Sequence, residues 1–537
     1  MRPGRHPRVR AQGRGCANDA LKPASRATTP PTVQPVLIRP DRHDLGLIGL
    51  YTGRILTGLG LVMLIPAALG FARAEVDDAL GLVIGAGLSL LLGRLAEWRL
   101  ASTRDLGWSH AMATVALAWL AATYLAAVPL YLSGHYASFL DATFDAMSGF
   151  ATAGLAVIND LDHVSDSINL WRHLMQFLGG QGLVLVALSL FGGAGGLAGL
   201  YVGEGREDRI LPNIRRTAQF IWRVALLYWL VGTALLWAAL AHAGMPHIDG
   251  LLHATMLFMA AFDTGGFAPT SASLGFYHSA VVEGVTSIFM VAGALSFALH
   301  YQLMRGKGPG ELVRNIETRT LAVTTLGLFV VTAVGLARFG TYDSVEALFR
   351  RGFFHLLSAH TGTGFGTIPG RLFVTDWGAL APAMIVIAMA LGGMASSTTG
   401  GVKALRVGVL AKAISGDVRR IVLPPDAVVA HTYHAGGQRQ ILRPAVVQTA
   451  VLITLLYFLL YFGGALLGLF YGYPLQEALF ESTSAAAAVG LSVGVVGPDL
   501  ESGLKLFYIF QMWIGRLEFI SVFALVGYVY ATLRGRL

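Results

Sequence analysis

Charged residues and cysteine are both scarce in this chain. Asp, Glu, Lys and Arg make up 13% of the 537 residues, whereas soluble domains carry about 25%. Hydrophobic residues make up 54%, and the mean hydropathy is +0.61. This composition excludes a soluble globular protein and predicts an integral membrane protein. The only cysteine, Cys16, excludes a disulfide within the chain, and we assign it no role.

Apolar runs long enough to cross a bilayer, roughly 18 to 25 residues, recur along the chain. Residues 1 to about 45 contain no such run and are rich in Arg, Pro, Gly and Thr. This composition predicts a disordered tail. The Arg content could also suggest a transit peptide, but Pro and Gly would interrupt the amphipathic helix that such a peptide forms. We predict ten crossings, at about 47–72, 78–94, 107–132, 168–192, 217–243, 279–303, 318–338, 377–412 (interrupted), 441–471 and 504–532.

Basic residues concentrate in the two terminal segments and in alternate connections, near 94–104, 206–216, 305–314 and 412–443. The intervening connections are acidic. By the positive-inside rule, both termini are expected in the cytoplasm. The net charge of +8 therefore reflects topology and attraction to anionic lipid, and it is no argument for nucleic acid.

A short pattern recurs four times between consecutive spans. It reads FDAMSGFATAGLAV (144–157), LFMAAFDTGGFAPT (257–270), FHLLSAHTGTGFGT (354–367) and ESTSAAAAVGLSVG (481–494). Each copy ends a partly polar half-helix, and we place these half-helices at about 138–151, 250–262, 346–360 and 475–487. Glycine allows positive backbone angles that turn carbonyls toward one axis, and a carbonyl ring can replace the water around a cation. One copy alone would favour tight helix packing, but four copies favour a pore.

The eighth span is interrupted by a stretch unsuited to a helix. Residues 392–401 include four glycines and four hydroxyl side chains, which predicts irregular backbone. Such backbone at membrane depth must be sheltered by protein or line a wet cavity. A phosphate-binding loop is the competing interpretation of SSTTGGVK, but the order G-x-x-x-x-G-K-[ST] is missing.

Single polar residues stand out in apolar surroundings, and each leaves two alternatives open. Arg516, in the last span, either faces an aqueous path or forms a structural ion pair with another span; Glu518 is too close in sequence to be its helical partner. Lys403 is a topological anchor or a gate contact. Asp263 attracts cations at the outer mouth or caps a half-helix end, and His360 is a hydrogen-bonding structural residue or a proton sensor.

From about residue 47 to 537 the sequence resembles the Trk/Ktr/HKT family of potassium-uptake membrane subunits. Besides the four copies, the resemblance lies in LGGQGLVLVALSL (178–190), LGGMASSTTGGVKALRV (391–407) and IGRLE (514–518). It implies an all-α integral membrane fold, in which the first two spans resemble the Trk branch. The implied organisation is a disordered basic cytoplasmic tail at 1–45, two extra N-terminal transmembrane helices at 46–105, and pore repeats of span, half-helix, filter and span at 106–200, 201–308, 309–425 and 426–537.

The resemblance also implies the site residues. In plant relatives a serine at the first filter glycine favours sodium, so Gly154 indicates potassium. Potassium would be held at Thr152, Ala153, Gly154, Thr264, Gly265, Gly266, Gly362, Thr363, Gly364, Ala488, Val489 and Gly490. A gate below this filter would comprise Gly392, Gly393, Ser396, Ser397, Thr398, Thr399, Gly400, Gly401, Lys403 and Arg516.

The expected function is potassium uptake across the plasma membrane, in bacteria the inner membrane. A sodium-permeable or ion-coupled symporter is the alternative. A membrane enzyme acting on lipid is a remote one, because the histidines are scattered at loop ends, so we expect no enzyme activity and no covalently bound cofactor. By resemblance, the expected partners are a second copy of the chain, a cytoplasmic nucleotide-binding regulatory ring of the RCK/TrkA-like type and membrane lipids, with no nucleic acid.

Overall fold

The computed structural model describes residues 42–101, 106–158, 160–183, 197–205, 214–306, 310–424 and 431–534. These residues are mostly helical. In chain order the helices are α1 (Arg42–Ala72), α2 (Val76–Arg99), α3 (Trp108–Leu132), α4 (Phe139–Ala151), α5 (Asp166–Gln181), α6 (Leu197–Gly203), α7 (Ile214–His242), α8 (His247–Phe262), a 3-10 turn (Ser273–Tyr277), α9 (Ala280–Ala294), α10 (Phe297–Met304), α11 (Gly310–Arg314), α12 (Ile316–Phe339), α13 (Val345–Ala347), a π turn (Leu348–Phe353), α14 (Phe354–His360), α15 (Leu372–Thr375), α16 (Leu380–Ala390), α17 (Ala404–Ile421), α18 (Pro444–Phe470), α19 (Leu475–Ala487), α20 (Ser502–Arg516) and α21 (Ile520–Arg534).

Several of these helices are long and apolar enough to cross a membrane. Among the described residues, six pass alone: α1, α2, α3, α7, α12 and α18. The predicted tail at 1–45 lies outside the described residues except for its last four, which already belong to α1. The predicted boundary at about residue 45 therefore lies in the first turn of α1.

The remaining predicted spans are broken. The spans expected at 279–303 and 504–532 as single helices are wrong in that respect, because α9–α10 bends by 102° and α20–α21 by 110°. The run at 168–192 also breaks, since α5 ends at Gln181 and Gly182 follows at φ 101°; residues 184–196 lie outside the described part. Hydropathy missed these breaks because apolar runs continue on both sides of the few polar residues and glycines at each break.

The four half-helices lie where the repeated pattern predicts them. They are α4, α8, the continuous stretch from α13 through the π turn to α14, and α19. Each packs against the spans on either side of it in the chain: α4 against α3 and α5, α8 against α7 and α9, α14 against α12 and α16, and α19 against α18 and α20. Every residue of α4 from Asp141 to Ala151 is buried. The half-helices therefore form the centre of the described protein.

A β-hairpin between α17 and α18 was not predicted. Strand β1 (Thr432–Ala435) pairs antiparallel with β2 (Gln438–Ile441), and Tyr433 lies opposite Gln440. Gly436 and Gly437 form its two-residue turn at φ 61° and 75°, as a type I′ turn requires. The Gly-Gly pair was the sequence signal, and it was overlooked because the flanking strands are only four residues long.

Candidate functional site

All four half-helices end in the same backbone turn. One or two positions after the last helical residue, each chain segment has a residue with a φ between 50° and 68°. Its N–H donates to the carbonyl three residues back, and the next N–H donates to the carbonyl five residues back. This pair of bonds is the Schellman motif, which satisfies carbonyls at a helix C-terminus. It opens the four filter segments predicted from the sequence, beginning at Thr152, Thr264, Gly362 and Ala488.

Two residues further on, each segment has a glycine that no other residue could replace without strain. Gly154, Gly266, Gly364 and Gly490 lie at φ 69°, 72°, 89° and 100°. A Cβ atom on any of them would also press into a carbonyl oxygen of the next segment, at Gly265, Thr363, Val489 and Ala153 respectively. Since the last contact returns to the first segment, the four segments follow one another around a closed ring.

The ring separates a wide cavity from a narrow one. All four glycines line a cavity of about 520 Å³, which continues along residues that follow them, such as Leu491 and Ser492. Near the helix ends lies a second cavity of only about 10 Å³, lined by Ser397, Lys403 and Arg516 among others. That volume holds about one water molecule. The wide side is therefore open and the helix-end side is closed.

A buried acceptor holds the loop after three of the four glycines. Nine residues before the glycine, Asp145, His355 and Glu481 accept hydrogen bonds from N–H groups three residues after it, at 2.8, 3.0 and 2.9 Å. The donors are Val157, Thr367 and Val493. In the second segment the corresponding pair is Leu257 and Pro269. Proline has no N–H, so this segment lacks both the donor and the polar acceptor.

Long-range contacts, invisible in the sequence pattern, brace the first two segments. Arg172 and Asp145 are at most 1% exposed and form an ion pair of 3.5 Å, and the Arg172 guanidinium lies 4.2 Å from the ring centroid of Phe267. Gln176 donates to the Gly265 carbonyl and accepts from the Phe267 N–H at 3.3 Å. A glutamine amide thus replaces solvent for irregular backbone that is shut off from water.

An acidic residue stands at the rim of the wide cavity. Asp162, in the loop before α5, accepts hydrogen bonds from the Ser271 hydroxyl and, at 2.8 Å, from the Ser271 N–H. These bonds lower the pKa of Asp162, and Ser271 lines the cavity. A carboxylate that stays ionised near neutral pH raises the local cation concentration there.

Two of the polar residues singled out in the sequence have structural partners. Asp263 is fully buried at the end of α8 and accepts from Gln181 Nε2 at 2.6 Å; it is absent from the lining of the wide cavity, which favours the helix-end alternative. His360 bonds through both ring nitrogens, to the Leu391 carbonyl at 2.9 Å and to Thr324 Oγ1 at 2.6 Å. These contacts favour the alternative of a hydrogen-bonding structural residue.

The glycine-rich loop at 392–401 packs directly against the helix ends of the segments. Thr398 Oγ1 lies 3.1 Å from the Phe262 carbonyl and 3.1 Å from Thr264 Oγ1. A Cβ on Gly400 would overlap the Ala487 carbonyl. On its other side the loop is tied to α12, since Glu317 Oε1 accepts the Ala395 N–H at 2.6 Å. The sheltered irregular backbone that the sequence predicted is thus found below the ring.

Two cationic side chains donate hydrogen bonds to backbone carbonyls of this loop. Arg516 ends α20 and donates to the Thr398 carbonyl and, at 2.7 Å, to the Gly179 carbonyl. Lys403, 4% exposed, donates to the Thr399 carbonyl. Lys403 is therefore a buried loop contact rather than a surface anchor. Glu518, as expected, is not the partner of Arg516 along the helix, and it pairs with Arg406 of α17.

Comparison with known proteins gives one consistent result. A model of the TrkH family, described as cation transport protein, matches residues 82–527. An uncharacterized cation transporter of Methanocaldococcus jannaschii is 30% identical over 495 residues, which cover 92% of this chain and 98% of the relative. The Trk system potassium uptake protein TrkH of Halomonas elongata is 29% identical over 506 residues, covering 90% and 98%. These relatives are transport proteins, not enzymes.

A solved structure has the same fold. The crystal structure of the potassium transporter TrkH from Vibrio parahaemolyticus superimposes with a TM-score of 0.76 over 89% of this chain and 98% of that one, at 23% sequence identity. At this identity the match establishes the all-helical membrane fold, and the roles of individual residues rest on their geometry.

The closed ring predicts that adding even a methyl group to one of its glycines strains the protein. Gly266→Ala should destabilise the protein by about 1–3 kcal/mol, because the Cβ meets the Thr363 carbonyl at a positive φ. Gly327→Ala is the matched control, since nothing lies within 4 Å of its Cβ in α12, and it should be neutral or stabilising. Thermal unfolding in detergent measures both. Equal effects of the two variants would contradict the ring.

The buried acceptor nine residues before the ring glycine predicts different effects for two substitutions of Glu481. Glu481→Leu leaves the buried N–H groups of Val493 and Val495 without an acceptor, which should cost about 1–3 kcal/mol for each group. Glu481→Gln keeps an acceptor oxygen and should lose much less. Thermal unfolding of the two variants side by side gives the comparison. If the Gln variant were as unstable as the Leu variant, the charge, and not the acceptor, would be what matters.

Proposed function

This chain belongs to the TrkH family of cation transport proteins, and we propose that it takes up potassium ions across the plasma membrane through a filter formed by its four glycine segments. The single observation that carries the proposal is the closed ring of Gly154, Gly266, Gly364 and Gly490, open to one wide cavity. Four irregular segments around one axis can surround a dehydrated cation with carbonyl oxygens.

The half-helices supply the matching electrostatics. All four end at the ring, so their C-terminal ends, each carrying roughly half a negative charge, converge near the proposed ion position. An anion would be repelled there, and a cation is stabilised without a carboxylate that would bind it too tightly. This arrangement favours cation conduction over anion transport or enzyme chemistry.

We further propose that the chain comprises four repeats of span, half-helix, filter and span, preceded by α1 and α2 as an added pair. The support is the shared turn after each half-helix and the placement of each half-helix between neighbouring spans. Both termini lie in the cytoplasm in this proposal, because the basic connections fall on one side. The wide cavity is then the outer vestibule, and the loop at 392–401 lies on the cytoplasmic side.

In this arrangement the loop at 392–401 is the gate. Ser396, Ser397, Thr398 and Thr399 are at most 6% exposed, and the adjoining cavity has room for about one water. A hydrated potassium ion cannot pass such a space. In this proposal the closed loop blocks the path, and conduction requires the loop to leave its contacts with Thr264 and Arg516.

Transport in this family is expected to involve further subunits. Relatives named for a Trk system support the proposal that a cytoplasmic nucleotide-binding ring controls the gate and that two copies of the chain associate. Large outward faces are available for lipid or a second copy, since only 22% of the apolar window of α12 and 39% of that of α18 are buried. Sodium permeation differs from this proposal in the ion that passes, and ion-coupled symport differs in requiring a second ion. Measurements of potassium and sodium flux distinguish both alternatives from potassium uptake.

Ion preference tests the filter directly. In proteoliposomes with mixed potassium and sodium gradients, the parent should favour potassium, and Gly154→Ser should lower this preference more than it lowers protein yield. The serine side chain would press on the Gly265 carbonyl and reorient one of the four segments. Reversal potentials report the ratio. An unchanged ratio in a folded Gly154→Ser protein would remove this segment from the filter, and a parent without potassium preference would favour the sodium alternative.

Arg516 tests the gate. Its charge repels a passing cation by roughly 3 kcal/mol if the two are about 6 Å apart at an effective dielectric near 20, and its hydrogen bonds hold the loop in place. Arg516→Ala should raise potassium flux per folded molecule by about tenfold, which corresponds to about 1.4 kcal/mol, without changing ion preference. Arg516→Lys keeps the charge and should raise flux less. Arg338→Ala, an exposed arginine at the end of α12, is the control and should leave flux unchanged.

The opposite result would point to a structural role. If Arg516→Ala lowers the unfolding temperature and leaves flux per folded molecule at the level of the parent, Arg516 acts only as a strut for the loop. Stability and flux therefore have to be measured on the same preparations.

A further inference from the structure

A strongly basic cavity lies away from the pore axis, between the start of α12, α17 and the β-hairpin. Its volume is about 270 Å³, slightly below the range of drug-sized pockets, about 300–1,000 Å³. Four basic side chains line it: Arg314, Arg319, Lys412 and Arg439. Four elements supply them, namely α11, α12, α17 and β2, so the tertiary fold, and not a run of like charges in the sequence, brings them together.

Neutral acceptors orient these cations. The Thr432 carbonyl accepts from Lys412 Nζ at 2.6 Å, and Thr432 Oγ1 accepts from Arg439 Nε at 2.8 Å. Arg319 Nε donates to the Val313 carbonyl. Because the acceptors carry no charge, these bonds fix the positions of the cations without cancelling their repulsion. A bound anion would cancel it.

The glutamates of the same elements already have other partners. Glu311 lies 2.8 Å from His434 Nε2, and Glu317 accepts the N–H of Ala395 in the gate loop. Arginine and lysine together are the side chains that recognise phosphate oxygens. We propose that this cavity binds a phosphate-bearing anion, either a lipid headgroup or a free phosphate compound, and that the bound anion stabilises the closed gate.

The link to the gate follows from the chain path and rests on the function proposed above. Arg319 is two residues beyond Glu317, which holds the loop at Ala395. Lys412 is in α17, the helix that begins directly after the loop. An anion that binds both Arg319 and Lys412 would connect α12, which holds the loop through Glu317, to α17, which follows the loop. This connection would oppose movement of the loop out of its position.

Binding is tested first, without any measurement of transport. In the first measurement, the full-length protein in detergent is titrated with inorganic pyrophosphate by calorimetry. In the second, mass spectrometry determines how much phosphatidylglycerol stays bound to the protein after delipidation. The double variant Arg319→Gln/Arg439→Gln should bind the anion about tenfold more weakly. The control Arg419→Gln/Arg420→Gln removes the same charge from exposed positions at the end of α17, outside the cavity lining, and should bind like the parent.

The outcomes separate the two sources of phosphate. Loss of pyrophosphate binding in the cavity variant alone supports a free phosphate ligand. Loss of retained phosphatidylglycerol in the cavity variant alone supports a lipid headgroup. Equal losses in the cavity and control variants, or no anion bound by the parent, overturn the proposal in favour of a generally basic surface. If the double variant does not fold, Arg439→Gln alone, at an exposed hairpin position, replaces it.

Regulation is tested by flux in vesicles of phosphatidylglycerol or phosphatidylcholine, with pyrophosphate added or omitted. The anion that binds should lower potassium flux through the parent and the control variant by several-fold and leave flux through the cavity variant unchanged. An effect of equal size in all three proteins would overturn the link to the gate. Binding without transport in any lipid would instead count against the proposed function and leave the anion site standing.

Discussion

The fold depends on one constraint: irregular backbone at membrane depth must satisfy its polar groups within the protein. Four chain segments leave their half-helices and meet around a ring, and each is held by the same Schellman turn. The ring closes so tightly that the carbonyl of one segment occupies the place of a side chain on the next. Glycine is therefore required by two independent conditions, a positive φ and the absence of space.

The same constraint explains why the spans after the half-helices break. Gly179, Gly293 and Gly515 pack without a side chain against the carbonyls of Phe150, Phe262 and Ala486, each of which lies four residues before a filter glycine. Past these contacts α5, α9 and α20 end within a few residues. In the third copy the residue four positions before the ring glycine is His360. Its side chain donates a hydrogen bond to the Leu391 carbonyl, next to the start of the glycine-rich loop. Close packing at the half-helix ends and interruption of the spans thus occur at the same level.

Much of this arrangement could be predicted from the sequence because it repeats. The four half-helices, the glycine positions and the interrupted span followed from periodic patterns and apolar runs. The bends after α9 and α20 could not, because apolar runs continue on both sides of Ser296 and of the short polar stretch Arg516–Glu518 and so suggest one continuous span. Contacts between distant residues, such as Arg172 with Asp145, Gln176 with Gly265 and Arg516 with Thr398, leave no local signal. The roles of Asp145, His355 and Glu481 were accessible in principle, since all three occupy the same register and the copy without a polar residue there has Pro269 instead.

The gate proposed above depends on the departure from symmetry in the third copy. Four identical breaks below the ring would leave the path lined alike on every side, with nothing long enough to cross it. In the third copy thirteen residues, 391–403, separate α16 from α17, whereas two residues separate α9 from α10 and three separate α20 from α21. The long connection reaches the ends of the second and fourth half-helices through Thr398 and Gly400. Arg516, at the end of α20 in the fourth copy, donates hydrogen bonds both to the loop, at Thr398, and to α5, at Gly179. One copy therefore supplies the loop and the other copies supply its contacts. Under the function proposed above, the loop can leave these contacts without breaking those between the ring glycines, which are made by other residues.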